Sequence, residues 1–185
     1  MNNIVPFFLL IFLTACTTSS SLYNFDYPLT NQTAESQYMD LSVKIPQDWS
    51  AVEDNECYCI DILLINKEKT ASIKFVPINV DSLVLSNDDK LEKILTFSKK
   101  FREIALRDKF NQIDGDEFFT IGSLKCAAYK YLNEEKIIVR VIVFSFNKKY
   151  FESIATPVSY ESIAKDKLSR LFNVQNSTLL SISSR

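Results

Sequence analysis

Glycine is nearly absent from this chain, and that scarcity limits the folds and chemistries open to it. The 185 residues include 2 glycines, whereas roughly 7% would be average for a globular protein. Folds that hold a dinucleotide or a nucleoside phosphate need glycine-rich loops, because only glycine lets the backbone approach the phosphates closely. The sequence therefore argues against dinucleotide-binding and P-loop proteins.

Histidine is missing altogether, which removes several kinds of catalytic and metal site. With a histidine count of 0, the sequence offers no Ser-His or Cys-His nucleophile pair, no histidine general base and no histidine metal ligand. The 21 basic and 23 acidic residues give a formal net charge of -2, which is not the footprint of a nucleic-acid-binding protein. We predict that the protein is not an enzyme and uses no cofactor.

The N-terminus has the layout of a secretory signal. Residues 4–13 form an apolar stretch that is too short to span a membrane, for which about 20 residues are needed, but is typical of a signal-peptide core. The stretch ends in Leu13-Thr14-Ala15-Cys16, which resembles the lipobox of bacterial lipoproteins. That resemblance implies a signal peptide over residues 1–15 and a lipid on the Cys16 thiol. The alternative is a plain secretory signal or a buried N-terminal helix.

A lipidated cysteine would also set the location of the protein. Two or more acyl chains, such as palmitate, hold a protein stably on a bilayer. The residue that follows the cysteine is Thr17. An aspartate at this position would resemble an inner-membrane retention signal, and threonine does not. We therefore expect a periplasm-facing domain that is anchored through its lipid to the outer membrane of the cell envelope.

The rest of the chain is predicted to be a tether and one domain. Residues 16–38 are rich in serine, threonine and asparagine, as in a flexible tether. The alternating aromatic residues Tyr23, Phe25 and Tyr27 leave open a short edge strand or a segment docked on the domain. The domain itself is expected over residues 39–185.

Alternation of apolar and polar residues predicts a sheet in this domain. Leu41, Val43 and Ile45 alternate with polar neighbours, as in a half-buried strand. Similar runs follow one another with tight turns, so we expect six or seven strands in a mostly antiparallel sheet flanked by helices, in the α+β class. Residues 137–144 are apolar on both faces apart from Arg140, which predicts a central strand.

Breaks and helices complete the predicted element order. Pro77 is expected to end the third strand. Helical spacing of apolar residues predicts a long helix over residues 88–110 and a final helix after Ser159.

Two segments resemble the PsbP-like superfamily. They are Leu41-Ser42-Val43-Lys44-Ile45-Pro46-Gln47-Asp48-Trp49 and, after a hairpin, Lys149-Tyr150-Phe151-Glu152-Ser153-Ile154-Ala155-Thr156-Pro157. The resemblance implies a PsbP-like αβα sandwich, as in the DcrB-like envelope lipoproteins, and no shared catalytic residues. The turn that places Trp49 also predicts a core position for its ring.

Three cysteines remain once Cys16 is assigned to lipid. Cys57 and Cys59 lie two apart on a predicted strand, and Cys126 lies on another. In an oxidising compartment, either of the first two can form a disulfide with Cys126. The alternatives are buried inert thiols and a soft-metal site for Cu(I) or Zn²⁺. We predict the disulfide and no metal.

Two charged stretches are interpreted first as solvated surface. The acidic residues Glu53, Asp54, Glu56 and Asp61 have no calcium-loop spacing, so we expect a solvated loop. The long helix has a basic side that could instead face anionic lipid or an acidic partner. Its members are Lys99, Lys100, Arg102, Arg107 and Lys109.

The sequence thus supports one leading hypothesis of function. We expect a lipid-anchored bacterial envelope protein whose non-catalytic domain binds an envelope protein or a lipid, and not nucleic acid. The alternative is metal or redox handling through Cys57, Cys59 and Cys126.

Overall fold

The domain is built in three layers. The computed structural model describes residues 24–36, 39–52, 60–79, 90–158 and 164–184. A seven-stranded sheet forms the middle layer, one helix packs on its first face, and a second helix with a two-stranded hairpin packs on the other. Within these ranges no helix is both long enough and apolar enough to span a bilayer.

Along the described residues, runs of strands alternate with two helices. Helix α1 is Lys90–Leu106, which a 3₁₀ turn at Arg107–Lys109 extends, and α2 is Lys165–Leu180. The described strands are β1 Leu29–Glu35, β2 Ser42–Pro46, β3 Trp49–Ala51, β4 Ile62–Asn66, β5 Ala71–Ile78, β6 Asn111–Ile121, β7 Leu124–Leu132, β8 Ile138–Phe146 and β9 Lys149–Pro157. The large sheet has the order β3-β4-β5-β9-β8-β7-β6, and β1 pairs with β2 in a separate sheet.

The α+β class and the antiparallel sheet predicted from the sequence are confirmed. Every pairing between neighbours in the large sheet is antiparallel, and the number of its described strands lies within the predicted range. The hairpin β1–β2 was not predicted as a sheet. Strand β1 is mostly polar and exposed, so it carries no clear alternation of buried and exposed residues.

The start of the domain near Met39 needs correction. The folded chain has begun by Asn24, because β1 is paired with β2 and the residues before β1 contact α2. The Tyr27 amide donates a hydrogen bond to Ser177 Oγ at 3.0 Å. The tether interpretation is therefore wrong for residues 24–36, and the docked segment that was left open is what the chain forms. Most of these residues are polar because they bond to β2 and to α2, and few of them fill the core.

Each face of the sheet is buried by a different layer. Successive residues of a strand point to opposite faces, and the interior strand β8 is buried on both, as predicted. Val141 and Val143 pack in the cluster that contains Ile94 of α1. Ile142 and Phe144 pack in the larger cluster beneath α2 and the hairpin.

Pro77 lies inside β5, opposite Phe151, rather than ending the strand as predicted. The carbonyl of Phe75 accepts a hydrogen bond from the Asp61 amide on the β4 side of the strand. The backbone nitrogen of Pro77, two residues further along, points to this same side. It lies beyond the end of the β4–β5 pairing, whose last pair is Ile62↔Phe75. Its missing N–H therefore removes no ladder hydrogen bond.

The long helix is shorter than predicted at its C-terminal end. Helix α1 stops at Leu106, and Arg107 has a φ of +53°, a left-handed conformation that cannot continue an α-helix. Asp88, where the long helix is predicted to begin, and Ser159, after which the final helix is predicted, lie outside the described residues.

Candidate functional site

The sequence-predicted site residues fall mostly outside the described chain. Cys16, Cys57 and Cys59 are not among the described residues. Lipidation of Cys16 therefore stays a prediction. Among the described residues there is no group of three or more side chains of the kinds that bind metals.

Cys126 carries a free thiol buried beneath α2. Its sulfur lies 3.7 Å from the Leu124 carbonyl oxygen, to which it donates a weak hydrogen bond. Burial raises the pKa of the Cys126 thiol from 9.0 to about 12, so the nucleophilic thiolate is suppressed at neutral pH.

The order of strands separates Cys126 from the start of β4. Cys126 is on β7, and four strand spacings separate β7 from β4, or about 19 Å at 4.8 Å per spacing. Ile60, the first described residue before β4, directly follows Cys59. The disulfide and the three-cysteine metal site both involve Cys57 and Cys59, which lie outside the described residues, and both stay predictions.

A cavity of about 700 Å³ opens between the β1–β2 hairpin and the sheet edge formed by β3 and β4. We call it the hairpin cavity. Its described lining comprises Asn31, Gln32, Thr33, Ala34, Glu35, Ile45, Trp49, Ser50, Ala51, Val52, Ile60, Asp61, Ile62 and Leu63. These residues include two carboxylates and no lysine or arginine, so the lining carries negative charge.

Asp61 is the unexpected member of this lining. It was predicted to be part of a solvated loop, but its side chain is only 8% exposed. Within the part of the chain that the structure describes, neither carboxylate oxygen has a hydrogen-bond partner. Its backbone amide is fixed by the Phe75 carbonyl, because the chain enters β4 at this point. The prediction of a solvated Asp61 is therefore wrong.

Trp49 stands between the hairpin cavity and the core. It begins β3 opposite Asn66, after a turn in which Asp48 has a φ of +64°. The ring is partly buried against the main core cluster, and it lines the hairpin cavity as well. The ring was predicted to lie in the core. It contacts the core on one side, and it is also accessible from the hairpin cavity.

A second cavity, of about 450 Å³, lies on the α2 side of Trp49. Two of its charged residues have partners within the lining. Lys67 Nζ lies 2.7 Å from an oxygen of Asp48, and Arg170 lies over the ring of Tyr27 at 5.5 Å. Charges of both signs line the second cavity and largely balance, whereas the described charges of the hairpin cavity are all negative.

One side of α1 carries exposed apolar residues at helical spacing. Phe97, Phe101 and Ile104 are 46%, 57% and 76% exposed, and we call them the α1 stripe. Spacings of four and three residues place them on one line along the helix. Lys93 and Lys100 are exposed residues that lie three or four positions from members of the stripe. The α1 stripe is therefore an apolar surface with a basic margin.

Most of the predicted basic side of α1 contacts carboxylates of the same domain. Lys99 Nζ lies 2.6 Å from an oxygen of Asp116 on β6. Arg102 pairs with Glu152. Because Lys99 points towards β6, the α1 stripe, nearly half a turn away around the helix, lies on the side away from β6. The solvated interpretation is wrong for Lys99 and Arg102, which hold the helix on the sheet.

The contact between α1 and the sheet includes a buried polar cluster. Arg102 pairs with Glu152, and the Tyr129 hydroxyl lies 2.8 Å from Ser98 Oγ. Burial raises the pKa of the Tyr129 hydroxyl above its usual range. Burial lowers the pKa of Arg102, but the charge of Glu152 together with the contacts to Tyr131 and Tyr129 outweighs that effect and leaves the pKa raised. Both groups therefore keep their ordinary neutral-pH state and serve as structural contacts.

Arg140 is the largest fully buried side chain on the opposite face. Its guanidinium lies 5.5 Å from the ring centre of Phe119 and 5.3 Å from that of Phe172, and it donates a hydrogen bond to Asn176 at 2.8 Å. The sequence showed Arg140 only as an interruption of an apolar strand. Its aromatic neighbours lie far away in sequence, so no local pattern could have placed it.

Comparisons with known proteins identify the fold. No family model and no curated protein matches the sequence. The solution structure of cyanobacterial PsbP (CyanoP) from Synechocystis superposes with a TM-score of 0.58 at 11% identity, covering 83% of this chain and 92% of that one. A crystal structure from Bacteroides thetaiotaomicron gives a TM-score of 0.41 at 16% identity, covering 79% of this chain and 45% of that one.

The domain has a PsbP-like fold. The match to the cyanobacterial protein spans most of both chains and agrees with the fold expected from the two sequence segments. At this identity the likeness concerns the fold alone. The function has to be argued from the surfaces of this chain.

Proposed function

We propose that this protein is a lipid-anchored bacterial envelope protein whose PsbP-like domain is a non-catalytic module that binds another protein through the α1 stripe. The observation that carries the proposal is the line of exposed apolar side chains at Phe97, Phe101 and Ile104. Contiguous apolar surface on a soluble domain marks interaction sites. The lipobox-like residues around Cys16 supply the expected anchor.

The basic margin of the stripe sets the chemistry of the partner. Lys93 and Lys100 are exposed beside the stripe, whereas the exposed glutamates of α1, Glu92 and Glu103, lie further round the helix. A partner segment with apolar residues and acidic neighbours would complement this surface. Such charge pairing adds orientation and association rate to apolar burial.

The expected anchor favours a protein over the anchoring bilayer itself. Asn24 accepts a hydrogen bond from Asn176 of α2, so the chain leaves the domain on the face opposite α1. Eight residue steps separate Cys16 from Asn24, and they span at most about 28 Å when fully extended. A helix–sheet–helix domain is roughly 30 Å thick, so an anchor of this length favours an orientation in which α1 faces away from the membrane that holds Cys16.

Site-specific photocrosslinking in intact cells tests the proposal. A photoreactive amino acid at Phe101 should give one discrete protein adduct. The same photoreactive amino acid in place of Phe118 is a matched control. Phe118 is an aromatic residue that is 56% exposed, nearly as much as Phe101, and it lies on β6, away from the α1 stripe. Charge reversal by Lys93→Glu with Lys100→Glu should abolish the adduct at position 101.

The identity of the adduct decides the outcome. A crosslinked partner peptide with acidic and apolar residues, lost on charge reversal, supports the proposal. An adduct whose added mass is a phospholipid, or equal adducts at positions 101 and 118, would overturn it. Intact mass of the mature protein tests the anchor separately, since a Cys16 without acyl chains would refute lipidation and leave the crosslinking result unaffected.

A further inference from the structure

The hairpin cavity contains a buried carboxylate. Asp61 is 8% exposed, and among the described residues neither of its oxygens has a hydrogen-bond partner. Burying a carboxylate costs free energy unless it is paired and hydrogen-bonded. An arrangement of this kind is unfavourable for folding alone, and a group that compensates the charge of Asp61 would relieve it.

We infer that the hairpin cavity is a binding site for a small organic cation of the alkylammonium class, with Asp61 as its counter-ion. The described lining has carboxylates at Glu35 and Asp61 and no basic residue, so its charge selects for cations. Trp49 lines the same cavity further along the sheet edge, where it begins β3 opposite Asn66. This site is separate from the α1 stripe and does not depend on it.

The size and lining of the cavity favour an organic cation over a bare metal ion. A volume of about 700 Å³ falls in the range of small-molecule sites, roughly 300–1,000 Å³. Calcium would need six to eight oxygen ligands held close together, and the described residues contain no metal-binding group of side chains. Apolar walls at Ile45, Ile60 and Ile62 suit the carbon chain of an alkylammonium ion.

Trp49 also supplies the measurement. It is the only tryptophan, since the tryptophan count is 1, so the intrinsic fluorescence of the protein at tryptophan wavelengths reports on this cavity wall. Titration with cadaverine should give a saturable change in emission. The neutral isostere 1,5-pentanediol should give none at the same concentrations. Choline, as a quaternary ammonium probe, extends the test to bulkier head groups.

Asp61→Asn is the decisive variant, because it keeps the shape of the side chain and removes its charge. It should weaken cadaverine binding at least about tenfold, and it should raise the melting temperature of the free protein. Glu117→Gln is the matched control. Glu117 also has an unpartnered buried oxygen, but it lies on β6 outside the cavity and pairs with Lys130, so its loss should leave cadaverine binding unchanged.

Three binding results would overturn the inference. They are no saturable response to cadaverine or choline at millimolar concentration, an equal response to 1,5-pentanediol, and undiminished cadaverine binding by Asp61→Asn. A melting temperature that falls in Asp61→Asn would show that the carboxylate has a structural partner, and would also contradict the role of a counter-ion awaiting a ligand.

Discussion

Arg102 on α1 and Glu152 on β9 form an ion pair between the helix and the sheet, with side chains that are 19% and 6% exposed. The pair lies next to Tyr129, which faces the same helix. The two residues are 50 positions apart in the chain, so the contact is a tertiary one that orients α1. Since α1 carries the α1 stripe, the ion pair also orients the proposed interaction surface.

Breaking this pair on one side should be costly. Glu152→Gln leaves the mostly buried Arg102 charge without its counter-ion, so we expect a loss of about 3–5 kcal/mol in the free energy of unfolding, measured by urea denaturation. The double variant Arg102→Met with Glu152→Leu should recover most of that loss. As a control, Glu134→Gln removes the exposed pair with Lys109 and should change little. A small effect of Glu152→Gln would contradict the buried geometry.

The two glycines of the chain make a second, self-controlled test. Gly122 in the β6–β7 turn has a φ of +56°, and an added Cβ would lie 3.0 Å from Leu180 Cδ1. Gly122→Ala should therefore cost about 1–2 kcal/mol of unfolding free energy, because the left-handed conformation is strained for alanine. Gly115 has nothing within 4 Å of an added Cβ. Gly115→Ala should leave the unfolding free energy unchanged or slightly higher, and equal losses at both positions would refute this reason.

Cys126 should make folding stability sensitive to alkaline pH. The thiol has a pKa of about 12 in the folded chain against 9.0 when unperturbed. Its neutral form is favoured by the fold, so the full contribution is present below pH 9 and is lost as the pH rises towards 12. In urea denaturation between pH 8 and 11, the wild type should lose more stability than Cys126→Ala. Parallel pH dependence of the two proteins would show that the thiol does not titrate as described.

The same cysteine should be unreactive in the native protein. A thiol reagent added without denaturant at neutral pH should leave Cys126 unmodified, and peptide mapping should find it modified once urea is present. Its burial and its raised pKa both reduce the thiolate available to the reagent. Native labelling of Cys126 at the rate of a free thiol would contradict its position beneath α2.

Local sequence patterns predicted the strands whose side chains are buried on one face or on both faces, because burial leaves a regular apolar pattern. Leu41, Val43 and Ile45 are buried as their alternation predicts, and the apolar run of β8 marks an interior strand. The two-stranded β1–β2 sheet was missed because β1 is held by backbone pairing and polar contacts rather than by an apolar pattern. The prediction that Pro77 ends its strand was wrong. A proline disrupts a strand only where a neighbouring strand would accept a hydrogen bond from its missing N–H, and β4 does not extend that far.

The candidate sites were harder to predict because they arise from tertiary placement. Asp61 has acidic neighbours in the sequence, which predicts an exposed side chain. Its position at the start of β4, opposite the β1–β2 hairpin, buries it instead. The basic residues of α1 were visible in the sequence, but their partners on β6 and β9 were not. The α1 stripe was partly hidden for a related reason, since Phe101 and Ile104 look like core residues until the helix is oriented.

The corrected start of the domain leads to the last prediction. A chain that begins at Asn24 should fold with full stability, whereas a chain that begins at Met39 should melt at a clearly lower temperature. The shorter chain loses the pairing of β1 with β2, the Tyr27–Ser177 hydrogen bond and the buried Ala34. At about 1 kcal/mol for each lost hydrogen bond, the loss is a large part of a typical stability of about 5–15 kcal/mol.

A chain that begins at Leu29 separates the two contributions, because it keeps β1 and removes only the segment docked on α2. Its melting temperature should lie between those of the other two chains in calorimetry. Equal melting temperatures for all three would restore the tether interpretation. The Met39 chain should also aggregate more readily, since removal of β1 exposes the backbone edge of β2 to pairing with other molecules.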